Sequence, residues 1–347
     1  MQSLSAVLHQ LNEPLRLQEL TIPSLKPGQV LVEVAYSGVC HSQLLEVSGK
    51  RGQDRFLPHT LGHEGSGVVL EVGDGVTKVR PGDRVVLSWI KGKGADVAGT
   101  IYESAQGPIS SGAISTFMRQ TVTSENRVTP IPKVMPLREA ALLGCAIPTG
   151  AGVVLNTARV RPGSSVAVFG VGGIGLSAVL AASLMNATII VAVDVVDRKL
   201  ERAKALGATH LVNVQTQDPM TTILEITAGR GVDFAIEAAG RRETMETALR
   251  SVRENSGLCV LAGNLPFGER FTVDPMDLIK GRQIVGTWGG ETQPDRDIPM
   301  YVELYQKGKL QLEALITHSY RLEEVNRAID DLEQGKVGRA LVDMNRY

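Results

Sequence analysis

The chain changes its hydrophobic rhythm twice. Up to about residue 130, short runs rich in β-branched residues alternate with turn residues. Val30–Ala35 and Gly67–Val72 read as strands, and Pro27-Gly28 and Pro81-Gly82-Asp83 as turns. Lys91–Ser115 is rich in Gly, Ala and Ser without clear periodicity and is expected as an extended loop. After Pro148, short apolar runs alternate with helical patterns. Strands are predicted at Ser165–Phe169, Thr188–Val193, His210–Val214, Val232–Glu237, Leu258–Ala262 and Gln283–Gly286. An apolar helix is expected at Gly175–Leu184, ending near Asn186. An amphipathic one is expected at Asp197–Leu206, with Asp197 as N-cap and Gly207 as stop. Six strands alternating with helices predict an α/β unit with a doubly wound parallel sheet. The last stretch returns to a mixed pattern, with helices near Pro299–Lys307 and Leu322–Gln334.

A length of 347 residues suits two domains rather than one core. The 36 basic and 37 acidic side chains nearly cancel, so nothing favours nucleic acid or an anionic membrane as partner. No apolar run reaches the roughly 18–20 residues of a membrane span. The start, Met1-Gln2-Ser3-Leu4, lacks a secretory pattern, so the expected location is the cytoplasm. Cys40, Cys145 and Cys259 are too few and scattered for a disulfide framework. They are core residues, metal ligands or nucleophiles.

Gly170-Val171-Gly172-Gly173-Ile174-Gly175 fits G-x-G-x-x-G, with an apolar strand before it, a helix after it and Asp194 ending the next strand. Gly170 allows the tight turn, Gly172 leaves no Cβ against a pyrophosphate, and Gly175 lets the helix pack on the sheet. The helix N-terminus offers free N–H groups to phosphates. Asp194 can accept hydrogen bonds from ribose hydroxyls and would repel a 2′-phosphate, so NAD is expected over NADP.

Cys40, His63 and Cys145 each lie beside or near a glycine at the edge of an apolar run. Two thiolates and an imidazole with a fourth place open is the pattern of a catalytic zinc. By spacing alone, two buried cysteines and a satisfied histidine explain them equally well.

The segments Gly-Val-Cys-His-Ser, Gly-His-Glu-Gly-Ser-Gly, Pro-Gly-Asp-Arg-Val, Gly-Cys-Ala-Ile-Pro-Thr-Gly and Gly-Val-Gly-Gly-Ile-Gly occur in that order. Over essentially the whole chain they resemble the zinc-containing medium-chain alcohol dehydrogenases, with Leu143–Gly152 closest to the class I and class III branch. The resemblance implies a GroES-like, mainly-β catalytic domain over residues 1–147, a Rossmann NAD-binding domain over 148–287 and a return to the catalytic domain over 288–347. It implies one catalytic zinc per subunit on Cys40, His63 and Cys145, with Glu64 behind it as an occasional ligand. Ser42 would take the proton from the substrate oxygen. His41, Thr149, Gly173, Ile174, Lys199 and Arg339 would join Gly170, Gly172, Gly175 and Asp194 at the NAD. Trp89, Thr287 and Ser42 would line the substrate pocket. The implied reaction is hydride transfer between an alcohol, or its aldehyde or ketone, and NAD. The implied partners are that small molecule and further copies of the chain, as a homodimer or homotetramer pairing near Ile284–Trp288.

The chain departs from the family pattern in three places. Lys91–Ser115 contains none of the four cysteines that hold a structural zinc in many relatives, so no structural zinc is expected. Gln43 stands where an aspartate usually orients the zinc histidine, and its amide is expected to accept the histidine N–H. Leu45 stands where class I enzymes end their proton relay with a histidine. A metal-free quinone or enone reductase and a non-catalytic NAD-binding protein are the alternatives on the same fold. Cys259 is expected in the core, and Lys50, Arg51 and Arg55 on a solvated loop.

Overall fold

The computed structural model describes Met1–Met344. The chain divides into one unit of Met1–Cys145 with the segment from Gln293 on, and a second of Ala146–Thr292. In the first, β1 (Gln2–Leu8), β2 (Arg16–Thr21), β3 (Gln29–Val39), β4 (His59–Thr60), β5 (Glu64–Val72), β6 (Arg84–Ser88), β7 (Ile101–Ser104), β8 (Gly107–Ser110), β9 (Gln120–Ser124) and β10 (Val128–Ile131) precede the crossing into the second unit. Helix α1 (His41–Val47) follows β3 directly, and α2 (Leu137–Ala140) follows β10. Strands β1, β2, β7, β8 and β4 close a barrel.

The longest strand, β3, is buried along almost its whole length because β5, β9 and a late strand all pair with it. That accounts for its continuous apolar run, where a half-exposed strand would alternate. The stretch expected as an extended loop holds the β7–β8 hairpin instead. Only Tyr102 and Ile109 of those strands are well buried, too short an apolar signal to stand out in the sequence.

The second unit runs α3 (Ala146–Gly152), β11 (Ser165–Phe169), α4 (Gly173–Leu184), β12 (Ile189–Asp194), α5 (Asp197–Ala205), β13 (His210–Asn213), α6 (Pro219–Ile226), β14 (Phe234–Glu237), α7 (Arg242–Ser251), β15 (Leu258–Leu261), α8 (Pro275–Ile279) and β16 (Gln283–Gly286). Its sheet is wholly parallel in the order β13-β12-β11-β14-β15-β16. This is the doubly wound order, reversing direction between β11 and β14. Helix α4 is apolar on nearly every side and correspondingly buried. Asp197 is the first residue of α5 rather than its N-cap, which is Val196. The Asp197 carboxylate instead accepts from Asn213 Nδ2 at 2.6 Å, and Asp194 takes the N–H of Val195 and Val196.

The chain returns to the first unit with α9 (Pro294–Gln306), β17 (His318–Arg321), α10 (Val325–Glu333) and β18 (Ala340–Asp343). Strand β18 pairs antiparallel with β3, which seats Arg339 beside Val39.

Candidate active site

Three chain segments meet where β3 ends. Cys40 is the N-cap of α1, His63 stands just before β5, and Cys145 follows a 3-10 turn over Ala141–Gly144. The end of β6 ties the last two together. Trp89 N–H donates to His63 O at 3.0 Å, and Ser88 Oγ donates to Gly144 O at 2.7 Å. Glycine is required at Gly38 and Gly144, where a Cβ would sit 2.2 Å from Glu64 Oε1 and from Leu87 O. The Cys40 and Cys145 sulfurs and one His63 ring nitrogen lie within 4.8 Å of one another. Hydrogen bonding to Cys145, with help from His63 and the Arg339 charge, holds the Cys40 thiol well below its ordinary range against the opposing effect of burial. A thiolate, a second sulfur and an imidazole converging in a mostly buried site fit a borderline-soft divalent cation.

Gln43 is fully buried beneath this cluster. Its Oε1 accepts the Cys40 N–H at 2.7 Å, and its Nε2 faces His63 Nδ1 at 2.9 Å. The expectation that the amide accepts from the histidine is therefore corrected. Its one acceptor oxygen is committed to the helix N-terminus, so the amide N–H donates to Nδ1. The ring proton then belongs on Nε2, which faces Cys145 Sγ at 3.3 Å. Loading an ion on Nε2 requires that proton to leave.

Glu64 does not join the three candidate ligands. It is fully buried and ion-paired to Arg339, itself buried, whose Nη1 also reaches Val39 O at 3.4 Å. Burial lowers the proton affinity of Arg339, and the neighbouring Cys40 raises it. Arg339, expected at the pyrophosphate, thus stands behind the thiol cluster in this structure. Ser42 is the second residue of α1, and its buried Oγ has no hydrogen-bond partner among the described residues. His41, the first residue of α1, is exposed, and Leu45 is buried. Trp89 packs against the core of the first unit.

In the second unit the glycine turn has the expected form. Gly170 has φ +83°, and a Cβ on Gly175 would lie 1.9 Å from Gly170 O. Gly172 caps α4, and a Cβ there meets nothing within 4 Å, so the space in front of the helix N-terminus is open. Asp194 Oδ2 accepts the Val171 N–H at 2.9 Å, tying the turn to the end of β12. Gly173 and Ile174 open α4, and Lys199 lies in the first turn of α5. Thr149 is buried in α3, and its Oγ1 has no hydrogen-bond partner among the described residues. Thr287 pairs its hydroxyl with that of Thr157 at 2.8 Å. Cys259 is buried in β15, with its thiol pushed up to about 12 by burial and then by Glu237.

Sequence reasoning passed over Glu125 and Glu237. Glu237 is an acid in the apolar run Phe234–Ala239, and that mismatch was the available signal, whereas Glu125 lies in the polar stretch Thr123–Arg127 and offered none.

A dinucleotide-type glycine turn with an acid ending the next strand, and a two-sulfur, one-imidazole cluster, together fit a metal- and nicotinamide-dependent dehydrogenase. The chain matches the family models described as "Alcohol dehydrogenase GroES-like domain" over residues 26–133 and "Zinc-binding dehydrogenase" over residues 173–307. It is 34% identical to an S-(hydroxymethyl)glutathione dehydrogenase of Synechocystis, covering 99% of this chain and 100% of that protein. An Escherichia coli protein of the same description is 35% identical with the same coverage. Among solved structures, a zinc-binding-domain alcohol dehydrogenase from Burkholderia ambifaria superposes with a TM-score of 0.91 at 32% identity over 100% of both chains. Benzyl alcohol dehydrogenase from Acinetobacter calcoaceticus does so with 0.89 at 33% identity over 99% of both. The chain belongs to the zinc-containing medium-chain alcohol dehydrogenase family. It is an NAD-dependent zinc oxidoreductase, and neither the metal-free reductase nor the non-catalytic alternative is favoured.

Proposed function

We propose that this enzyme oxidises alcohols with NAD, and reduces the matching carbonyls with NADH, using a single zinc per chain held by Cys40, His63 and Cys145. The observation that carries the reading is the convergence of those three donor atoms within 4.8 Å. When bound, zinc supplies a Lewis acid that lowers the alcohol's pKa, and NAD supplies the hydride acceptor. Ser42, whose buried Oγ lacks a partner, accepts the substrate's proton. Leu45 has no titratable atom to pass it to, so the proton leaves through water. Glu64, paired with Arg339, stabilises the charge of the site from behind. Asp194 favours NAD over NADP by taking the ribose hydroxyls. Gly170, Gly172, Gly173, Ile174 and Gly175 form the phosphate turn, with His41, Thr149, Lys199 and Arg339 as further cofactor contacts. Trp89 and Thr287 shape the substrate pocket.

A second, structural zinc is not part of this reading. The chain has three cysteines, so four thiolates cannot be assembled in its lobe. Glu125 supports that region instead. Its carboxylate accepts the N–H groups of Thr77, Lys78 and Ala95 at 2.7–2.8 Å. The exposed edge strand β16, with Val285 on it and Trp288 just beyond it in the open, is the proposed pairing edge of an oligomer.

The test is elemental analysis of the purified protein with a panel of aliphatic and aromatic alcohols and S-(hydroxymethyl)glutathione, each followed by NADH and NADPH formation. One zinc per chain and NAD-linked turnover of at least one alcohol are expected. Full turnover in zinc-stripped protein, or two tightly held zinc ions, contradicts the reading.

A further inference from the structure

Glu237 ends β14 and is fully buried. Its main-chain oxygen accepts the N–H groups of Ala262 and Gly263 at 2.8 and 2.9 Å, which fixes the first residues beyond β15. Its side-chain Oε1 accepts Ala239 N–H at 3.0 Å, Gly240 N–H at 2.9 Å and the Thr244 hydroxyl at 2.7 Å. Oε2 is buried and takes no hydrogen bond among the described residues. A Cβ on Gly263 would lie 2.5 Å from Oε2 and 2.4 Å from Gly240 N, so the two loops touch only because residue 263 has no side chain. One acid thus knots together the loops that leave β14 and β15.

Packing alone does not explain an acid at this place. The strand before it is Phe234-Ala235-Ile236, and an apolar residue would continue it. Burial raises the proton affinity of Glu237, a cost that its three Oε1 bonds only partly offset. The position explains it better. In a doubly wound sheet, ligands lie beyond the carboxyl ends of the strands where the order reverses, and each half of the sheet serves one mononucleotide. Asp194 ends β12 in one half. Glu237 ends β14, the first strand of the other half, directly beside Phe169 of β11.

Building on the NAD reading above, we propose that Glu237 is a positioning residue for the nicotinamide half of the cofactor. Its carboxylate fixes the backbone of Ala239 and Gly240 while its main-chain oxygen holds Ala262 and Gly263, and that pair of loops forms the wall on which the nicotinamide nucleoside rests. The adenosine half, served by Asp194, does not depend on it.

The test uses the zinc-loaded full chain with Glu237→Ala and Glu237→Gln. NADH binding is followed by fluorescence, AMP binding by calorimetry, and steady-state constants are measured for NAD. Loss of three bonds to one carboxylate oxygen is expected to weaken NADH binding by about ten- to a hundredfold in Glu237→Ala. AMP binding stays within about twofold, and the KM for NAD rises more than kcat falls. Glu237→Gln keeps an acceptor oxygen in the same place and recovers most of the NADH affinity. Unchanged NADH affinity in Glu237→Ala, or equal losses for AMP and NADH, overturns the proposal. If Glu237→Ala does not fold, Glu237→Asp, whose oxygens fall one carbon short, must show the same selective loss or the proposal fails. Wild-type protein that binds neither AMP nor NADH would instead refute the cofactor reading itself.

Discussion

The two chemical regions of this protein are built in opposite ways. The dinucleotide turn is local: Gly170 to Gly175 are contiguous, and Asp194 follows after a single helix and strand. Its geometry is set by near neighbours, as where Gly170 O occupies the space a side chain on Gly175 would need. The thiol cluster is assembled from a helix cap, a strand entry and a 3-10 turn that are far apart in sequence. Its members meet because Gly38 and Gly144 leave room for Glu64, and because Ser88 and Trp89 tie two of the segments together. A contiguous motif carries its own geometry. A dispersed one borrows geometry from the whole sheet, so its integrity reports on the fold around it.

The largest effect should come from breaking the dispersed site. Cys145→Ser replaces a soft donor with a hard one without changing the backbone. It should release zinc and lower kcat/KM by about a thousandfold, the worth of a Lewis acid contributing several kcal/mol. Elemental analysis beside steady-state kinetics checks this, and retained zinc with near-normal turnover would dismantle the ligand assignment.

The contiguous site offers a cleaner dissection. Gly172 has φ −79°, and a Cβ there meets no protein atom within 4 Å. Gly172→Ala should leave the cofactor-free melting temperature almost untouched and weaken NADH binding by about tenfold or more, since the methyl enters the space left for phosphates. Gly175→Ala should behave differently, costing stability by about 1–3 kcal/mol through its clash with Gly170 O. If both variants lose stability equally, the open space before α4 is not a phosphate site.

The same contrast decides what was legible in the sequence. The turn, its acid and the six parallel strands could be read because period and punctuation are local properties. Residues Cys40, His63 and Cys145 could be listed from sequence, but residue spacing alone was equally compatible with core packing. Only the resemblance to known dehydrogenases pointed to a metal. What escaped was pairing between distant segments. The pairing of Arg339 with Glu64, made because β18 pairs with β3, could not be read from either segment. Asp197 looked like a helix cap, but Asn213 on the neighbouring strand claims its carboxylate. The β7–β8 hairpin was hidden because its inward positions are few and its turn residues many. Gln43 was recognised as unusual, but its direction of donation depends on Cys40 N–H, which only the helix geometry reveals.

That direction yields a smaller prediction. With its single acceptor oxygen on Cys40, Gln43 favours the His63 proton on the nitrogen a metal needs. Gln43→Asp offers two acceptor oxygens, one for the helix N–H and one for a protonated Nδ1. Zinc affinity, measured by chelator competition, should tighten by about tenfold, the low end of effects from groups that orient a liganding histidine. An unchanged affinity would show that the amide turns over freely when the ion arrives.

The last contrast separates two buried acids, one in each unit. Both are almost solvent-free, but their hydrogen bonding differs. Glu125 engages both carboxylate oxygens, and its bonds from the Ala95, Thr77 and Lys78 N–H groups outweigh burial and hold its pKa below the ordinary value. Glu237 leaves Oε2 unpartnered, so burial prevails and its pKa is raised. The linked stabilities must therefore run in opposite directions. Glu125 adds stability that is complete above the unfolded carboxylate pKa and is lost as pH falls through its lower folded value. Glu237 binds its proton more tightly when folded, so its contribution declines as pH rises from the unfolded to the folded value and stays low above that. Relative to wild type, Glu125→Gln should thus become less stable as pH increases through the carboxylate range, reaching a deficit of about 1–3 kcal/mol as its buried N–H groups lose their carboxylate. Glu237→Gln should become relatively more stable over the same range. Denaturant melts of both variants and wild type at several pH values between acid and neutral measure the two slopes, and slopes of the same sign would show that hydrogen-bond count does not set the ionisation of these acids.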